Sequence, residues 1–352
     1  MCAAESAGGG ERPRTIFLGT GRFAVPVLEA LTQESRVELV GVVTASPKPA
    51  GRGGILRPSP VGLVARTKWL AVLTPGRLRA PESVEEIREL RPELLVLADY
   101  GQIVPRELLE LPRHGALNLH PSLLPRHRGA SPIPAAILGG DHETGVTLIR
   151  MDAGVDTGPI VAQRTVPLRG DETAPELQER LASVAADLLR ESLGPWLAGT
   201  IDARPQSEEG ATLTRALRRE DGRLDPSRSA TELARQVRAY QPWPGSFLQT
   251  PTGRIVIWAA EPIELASPVG AAFGPDAGEP LRGTLLPDDA GIALAVADGA
   301  LRLREVQPSG GRRMRADELR RGRPGLIGTR VAAPGSSSSG DRRSDRDRAA
   351  LG

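Results

Sequence analysis

The 352-residue sequence predicts an α/β fold: a doubly wound, mostly parallel sheet followed by a small antiparallel β-barrel. Three observations predict it. Short apolar runs alternate with helical patterns from residue 14 to about residue 199. The first of these runs ends in a glycine turn that opens a helix, as doubly wound sheets begin. Beyond residue 216 the pattern changes to short strand-like runs punctuated by Gly, Pro and Asp. The expected organisation is a flexible tail over 1–13, a first domain over 14–199, a linker over 200–215, a second domain over 216–331 and a disordered tail over 332–352.

In order, Arg14 to Gly19 reads as a buried strand, and Gly19-Thr20-Gly21-Arg22 turns it into a helix through Leu28 and Leu31. A dinucleotide fold would then end its second strand in an acidic residue that holds the ribose. The second strand, Val37 to Thr44, runs out into Thr44, Ala45 and Ser46, which argues against NAD or FAD. Residues 45–60 read as loop, because Pro47, Pro49, Pro58 and Pro60 with several glycines exclude a helix interior or a central strand. This loop carries Lys48, Arg52 and Arg57 with no acid to balance them, which suits either phosphate contacts or a solvated loop.

A helix follows over Pro60 to Trp69, then a short segment over Ala71 to Thr74, a helix over Val84 to Leu90 and a strand over Leu94 to Ala98. Tyr100-Gly101 breaks the chain before a short helix over Val104 to Leu111 and a strand over Ala116 to His120. Next come a helix over Pro132 to Leu138 and strands over Gly145 to Met151 and Ile160 to Val166. Asp171 to Leu197 is a long helical stretch, expected to kink or break at Gly194-Pro195. In the second domain Ser229 and Glu232 have the spacing of a capping box, starting a helix to about Tyr240. Five strand-like runs follow, the last over Leu301 to Val306. Arg312, Arg313, Arg315, Arg320, Arg321 and Arg323 then cluster around a short helix, as phosphate contacts or as a solvated face.

Composition narrows the class. A hydrophobic fraction of 39% and a charged fraction of 25% describe a globular protein, and no run approaches the ~20 apolar residues of a membrane span. Residues 1–14 lack the apolar core of a signal peptide, and the one cysteine, Cys2, excludes an internal disulfide framework and a cysteine-based zinc site. A cytoplasmic protein is expected. The net charge is only +2, and nearly all the positive charge is Arg, so a single Arg-rich patch is weak evidence for nucleic acid. With 3% aromatics, base stacking is a poor candidate for recognition.

The chemistry points to Ala116–Pro134. Asn118 and His120 lie two apart on a strand and therefore share a face. In a parallel sheet ligands sit beyond the carboxyl ends of the strands. An amide donor beside an imidazole there suits stabilisation of a developing oxyanion, although the pair also fits an ordinary strand exit. Asp156, between Gly154 and Gly158, is close enough in type and setting to serve the imidazole or simply to form a turn.

Taken together, these pieces resemble the methionyl-tRNA formyltransferase family, over roughly residues 14–330. The resemblance is carried by Phe17-Leu-Gly-Thr-Gly-Arg-Phe-Ala24, Pro49-Ala-Gly-Arg-Gly53, Pro58-Ser-Pro60, Tyr100-Gly101, Asn118-Leu-His-Pro-Ser-Leu-Leu-Pro-Arg126, Thr144-Gly-Val-Thr147, Met151-Asp-Ala-Gly-Val-Asp-Thr-Gly158 and Gln241-Pro-Trp-Pro244. It implies a Rossmann-like formyltransferase domain followed by an OB-like, tRNA-binding barrel. It also implies transfer of formyl from 10-formyltetrahydrofolate to the methionine amino group of initiator methionyl-tRNA, without a metal, by a monomer. Asn118, His120 and Asp156 would be catalytic, with Asp156 orienting His120 and taking the amine's proton through water. Ser122, Leu123, Leu124 and Pro125 would line the tetrahydrofolate pocket, with Leu124–Pro125 cis. Lys48, Arg52 and Arg57 would meet tRNA phosphates. The alternatives are a formyltransferase for a sugar-nucleotide or purine-precursor amine, or a non-catalytic RNA-binding protein. His127 stands where the family usually has Trp, Pro134 where it commonly has Gln, and Asp99 where a small residue is usual.

Overall fold

The computed structural model describes residues 12–50, 54–264, 282–289 and 291–331. Cys2, Arg52, residues 1–11 of the expected first tail and all of the tail expected over 332–352 lie outside the described residues. The chain divides into two compact units, Met1–Ala216 and Leu217–Gly352.

The first unit runs β1 (Arg14–Gly19), α1 (Ala24–Thr32), β2 (Glu38–Val43), β3 (Lys48–Ala50), β4 (Ile55–Arg57), α2 (Pro60–Thr67), β5 (Val72–Leu73), α3 (Pro81–Glu89) and β6 (Leu94–Ala98). It continues with α4 (Arg106–Glu110), β7 (Ala116–His120), β8 (Arg128–Gly129), α5 (Pro132–Gly139), β9 (Glu143–Arg150), β10 (Ile160–Pro167), α6 (Ala174–Leu197) and β11 (Leu213–Thr214). The main sheet has the order β10-β9-β7-β6-β1-β2-β5. Its strands from β7 to β5 are parallel, and β9 and β10 add an antiparallel edge.

Strand alternation explains why both faces are covered. Ile16, Leu18, Leu95, Leu97 and Ala116 share a face, where they pack with Val84 and Ile87 of α3 and Leu108 of α4. Phe17, Leu94, Val96, Leu117 and Leu119, of opposite parity, are equally buried on the other side, where α1, α5 and α6 pack. Burying one such side chain contributes about 1.5–3 kcal/mol, so the near-continuous apolar runs of β1, β6 and β7 hold the sheet together. Because Ala116, Asn118 and His120 have the same parity, the polar pair faces the α3/α4 side.

Several local expectations change. The 45–60 segment forms a β3–β4 hairpin outside the main sheet, with Lys48 opposite Arg57. Its prolines are tolerated because a two-stranded ribbon leaves one side of each strand without a ladder partner. Helix α6 runs on through Gly194 and Pro195, since a proline two residues before the end, in the last turn, removes only one terminal bond. Residues 200–215, read from sequence as a linker, return to the first unit: Arg204 bridges Ile160, and β11 pairs with β8.

The second unit contains α7 (Ala230–Ala239), β12 (Ser246–Thr250), β13 (Gly253–Ile263), β14 (Leu285–Asp288), β15 (Gly291–Val296), β16 (Gly299–Pro308), β17 (Met314–Arg315) and α8 (Ala316–Gly322). Among the described residues its strands form a six-stranded sheet in the order β12-β13-β16-β15-β14, with β17 on β16. Every pairing is antiparallel. Leu233 and Val237 of α7 share a core with Leu248, Ile257, Leu294 and Leu303. Ser229 caps α7 by accepting from the Glu232 N–H at 3.1 Å, while the Glu232 carboxylate accepts from the Ser229 N–H at 3.0 Å. No helix among the described residues is long and apolar enough to cross a membrane.

Candidate active site

Asn118 and His120 end β7, and the chain then turns through Pro121 and Ser122. Asp156 arrives from the loop between β9 and β10, in the left-handed region at φ +53°. Such a backbone is uncommon for a residue with a side chain, and it is held here by its surroundings. Gln206 donates to the carbonyls of Asp156 and Gly158 at 2.7 and 2.8 Å. A Cβ on Gly158 would lie 1.9 Å from the Arg150 carbonyl, so only glycine lets the loop approach β9 this closely.

The loop brings one carboxylate to both polar residues of β7. Asp156 Oδ1 accepts from Asn118 Nδ2 at 3.2 Å, and Oδ2 accepts from the Gly129 N–H at 2.9 Å. Oδ2 also lies 3.5 Å from His120 Nδ1. The other ring nitrogen of His120, Nε2, is 2.9 Å from the carbonyl of His127. His120 is 4% exposed, so its ring is oriented within the protein and both nitrogens face oxygen acceptors. Asn118 keeps a second N–H with no partner among the described residues.

The loop after β7 is anchored from the antiparallel edge. Thr147 Oγ1 donates to the Ser122 carbonyl at 2.7 Å and accepts from the Leu124 N–H at 3.1 Å. Gln163 donates to the Leu124 carbonyl at 2.8 Å and to Thr147 Oγ1 at 3.0 Å. Leu124–Pro125 is cis. Ser122 and Leu124 are buried and shape the loop, whereas Leu123 and Pro125 line a cavity of about 320 Å³ with Arg126, His127, Asp141 and Thr144.

His127 has a structural account. Its backbone lies at φ +58°, its carbonyl meets His120, and its ring Nε2 is 2.8 Å from Asp141 Oδ2. Arg126 holds the other oxygen of Asp141 at 2.7 Å. Pro134 falls in the first turn of α5, where an absent N–H removes no helical bond. Lys48 and Arg57 are exposed on the β3–β4 hairpin, which leaves the sheet after β2 on its carboxyl-terminal rim, and Arg52 is outside the described residues. The sequence does not reveal Thr147, Gln163, Gln206 or Asp141 as supports of the site. Each acts across a gap in the chain that only the fold closes.

At residue 99, too, the backbone is left-handed, at φ +48°. The surroundings of the Asp99 carboxyl strip away its hydration, which raises its pKa from the ordinary 3.8 to about 6. Burial likewise pushes the Tyr100 phenol up to about 12.

An amide donor and a carboxylate-held imidazole meet at the carboxyl ends of a doubly wound sheet, an arrangement of the kind that suits group transfer through an oxyanion. The sequence profile described as formyl transferase matches residues 13–193, and that of the formyl transferase C-terminal domain matches residues 216–324. The methionyl-tRNA formyltransferase of Symbiobacterium thermophilum is 44% identical over 321 residues, which is 91% of this chain and 96% of that protein. The enzyme of that name from Roseiflexus castenholzii is 44% identical over 88% of this chain and 96% of its own length. The chain belongs to the methionyl-tRNA formyltransferase family of formyl transferases.

Solved structures agree on the fold. The N-formyltransferase of Helicobacter canadensis, in complex with folinic acid and dTDP-3-aminofucose, superposes with a TM-score of 0.60 at 18% identity, covering 83% of this chain and 99% of that one. HypX of Aquifex aeolicus, in complex with tetrahydrofolic acid, superposes at 0.59 and 18% identity, covering 88% of this chain and 47% of HypX.

Proposed function

We propose that this chain transfers the formyl group of 10-formyltetrahydrofolate to the α-amino group of methionine on initiator methionyl-tRNA, the step that prepares this tRNA for translation initiation. The observation that carries the mechanism is the joint hold of Asp156 on Asn118 and His120, which leaves one Asn118 N–H unspent.

In the reaction the amine nitrogen bonds to the formyl carbon, the carbonyl oxygen becomes an oxyanion, and the bond to the donor nitrogen then breaks. The amine loses one proton and the departing donor nitrogen gains one. Asn118 donates its free N–H to the developing oxyanion, where a fixed donor needs no reorganisation. Nε2 of His120 already faces the His127 carbonyl. His120 therefore acts on the oxyanion through its charge when protonated, rather than by a direct bond in this arrangement. Asp156 orients both side chains. Gly129 and His120 both meet Oδ2, whereas Oδ1 accepts only from Asn118 among the described residues and keeps a lone pair that can receive the amine's proton through water. The Ser122–Pro125 loop, fixed by Thr147 and Gln163, borders the donor, and Lys48 and Arg57 on the hairpin serve phosphates of the acceptor stem.

The test is to incubate the protein with 10-formyltetrahydrofolate and methionyl-tRNA and to measure formyl-methionine after deacylation. Formylation of the tRNA-borne amine is expected. Turnover confined to small amines such as amino sugars would overturn the choice of acceptor, and formate released to water alone would overturn the transfer.

A further inference from the structure

Residues 39–81 carry no Asp or Glu but hold seven Lys or Arg, although the whole chain has a net charge of only +2. Six of these cations are described: Lys48 and Arg57 on the β3–β4 hairpin, Arg66 and Lys68 at the end of α2, and Arg77 and Arg79 before α3. All six are exposed, and among the described residues none of them forms an ion pair. Other arginines of the first unit do hold acids: Arg14 meets Glu38, Arg106 meets Glu110 and Arg113 meets Glu93. An acid-free stretch whose cations are not neutralised within the chain attracts a polyanion.

Helix α2 and its end give this stretch a shape. Val61, Gly62 and Ala65 face inward, so Leu63, Arg66 and Thr67, three and four residues apart, form the outer face. The helix closes in a Schellman motif: the Leu70 N–H donates to the Ala65 carbonyl at 3.0 Å, and the Trp69 N–H to the Arg66 carbonyl at 3.1 Å. The residue that makes this turn is left-handed, at φ +57°, a position that glycine fills without steric cost. Here it is Trp69, and it is 94% exposed. A bulky side chain destabilises such a backbone, and this one regains little by packing. With Ile55, Leu56 and Leu63 it makes up four of the eight large apolar side chains exposed among the described residues.

We propose that the outer face and end of α2 form a second RNA contact, in which Arg66 and Lys68 meet backbone phosphates and Trp69 lays its ring against a base or ribose. The proposal rests on the tRNA acceptor and extends its footprint beyond the hairpin. The two elements are consecutive, with β4 ending at Arg57 and α2 starting at Pro60, and the Ser59 hydroxyl between them lies 2.6 Å from that of Thr44. At 1.5 Å per residue Trp69 lies roughly 13 Å along α2 from that joint, the span of about four nucleotides of one strand. A helix that entered lipid would need a broad outward apolar face. Helix α2 instead turns Val61 and Ala65 inward and leaves only Leu63 and Trp69 outside, which favours a polyanion without acyl chains.

Trp69→Gly is the informative variant, because glycine is unstrained at this backbone. Its melting temperature is expected to be no lower than the parent's. Filter binding of methionyl-tRNA is expected to weaken by about 10-fold, as for the loss of one aromatic stacking partner, and Trp69→Phe is expected to keep most of the affinity. Arg66→Gln combined with Lys68→Gln is expected to reduce the slope of log affinity against log salt by about 2, one for each phosphate contact removed. KM for 10-formyltetrahydrofolate is expected to stay parental in all of them. Parental tRNA affinity in Trp69→Gly, with a parental salt slope in the double variant, overturns the proposal and leaves the acceptor assignment standing wherever the parent formylates methionyl-tRNA. Parental binding to phosphatidylglycerol vesicles that Trp69→Gly abolishes, with tRNA affinity unchanged, overturns it in favour of a lipid surface. A parent that neither binds nor formylates methionyl-tRNA overturns the acceptor assignment and the contact together.

Discussion

At the scale of single residues, the rim of the sheet concentrates backbone that L-residues seldom adopt. Asp99, His127 and Asp156 all have positive φ, and such positions persist where surroundings over-determine them. Two of the three aim a carboxylate, and the third aims a carbonyl at His120. Asn118→Ala removes the proposed oxyanion donor and is expected to lower kcat by ~100- to 1,000-fold with folding retained. Single-turnover formylation measures it, and an unchanged rate would remove Asn118 from the mechanism.

Asp99 also makes a stability prediction. Its pKa is about 6 in the folded chain against 3.8 when hydrated. Between those values the folded state binds more protons than the unfolded one, so this group's contribution to stability falls as pH rises from about 4 to about 6. Asp99→Asn is expected to be no less stable than the parent near neutrality and to lose its relative advantage below pH of about 4. Melting temperatures of both proteins across that range decide it.

At the scale of elements, the site depends on the antiparallel edge of an otherwise parallel sheet. Thr147 on β9 and Gln163 on β10 hold the loop after β7 through its own backbone. Gln163→Leu leaves the Leu124 carbonyl and Thr147 hydroxyl without that donor, at an expected cost of about 1–3 kcal/mol. Urea unfolding measures the cost, and a raised KM for the formyl donor with little change in kcat is the expected kinetic signature. In the second unit Ser229→Ala removes the α7 cap and is expected to cost about 1 kcal/mol. Elements were legible where periodicity was strong: β6 and β7 lie where the apolar runs Leu94–Ala98 and Ala116–His120 place them. The hairpin at 48–57 was not legible, because proline and glycine signals report what a segment cannot be inside a sheet and say little about a free ribbon. Residues 200–215 looked like a linker because their contacts, Gln206 to Asp156 and Arg204 to Ile160, are made with distant segments.

At the scale of the whole molecule, a tRNA acceptor implies contacts led by phosphate. Lys48 and Arg57 on the hairpin and the Arg residues around α8 are exposed or half-buried cations, several already paired with acids such as Glu305 and Glu318. Binding of methionyl-tRNA is therefore expected to weaken steeply as salt is raised, since each phosphate contact releases counterions. Filter binding over a salt series measures the slope, and a flat response would exclude a phosphate-led interface.

The sequence alone determined the fold class and set Asn118 and His120 together at the end of β7, the rim proposed to carry the chemistry, because apolar periodicity and strand parity are local properties of the chain. It also carried the motifs by which the family is recognised. The tertiary structure decided the rest. It placed the Asp156 carboxylate on both polar residues of β7, turned Nε2 of His120 toward the His127 carbonyl, and set Asp99 against the bare face of Gly21. Those relations depend on distances between segments 7 to 78 residues apart, which no local pattern encodes.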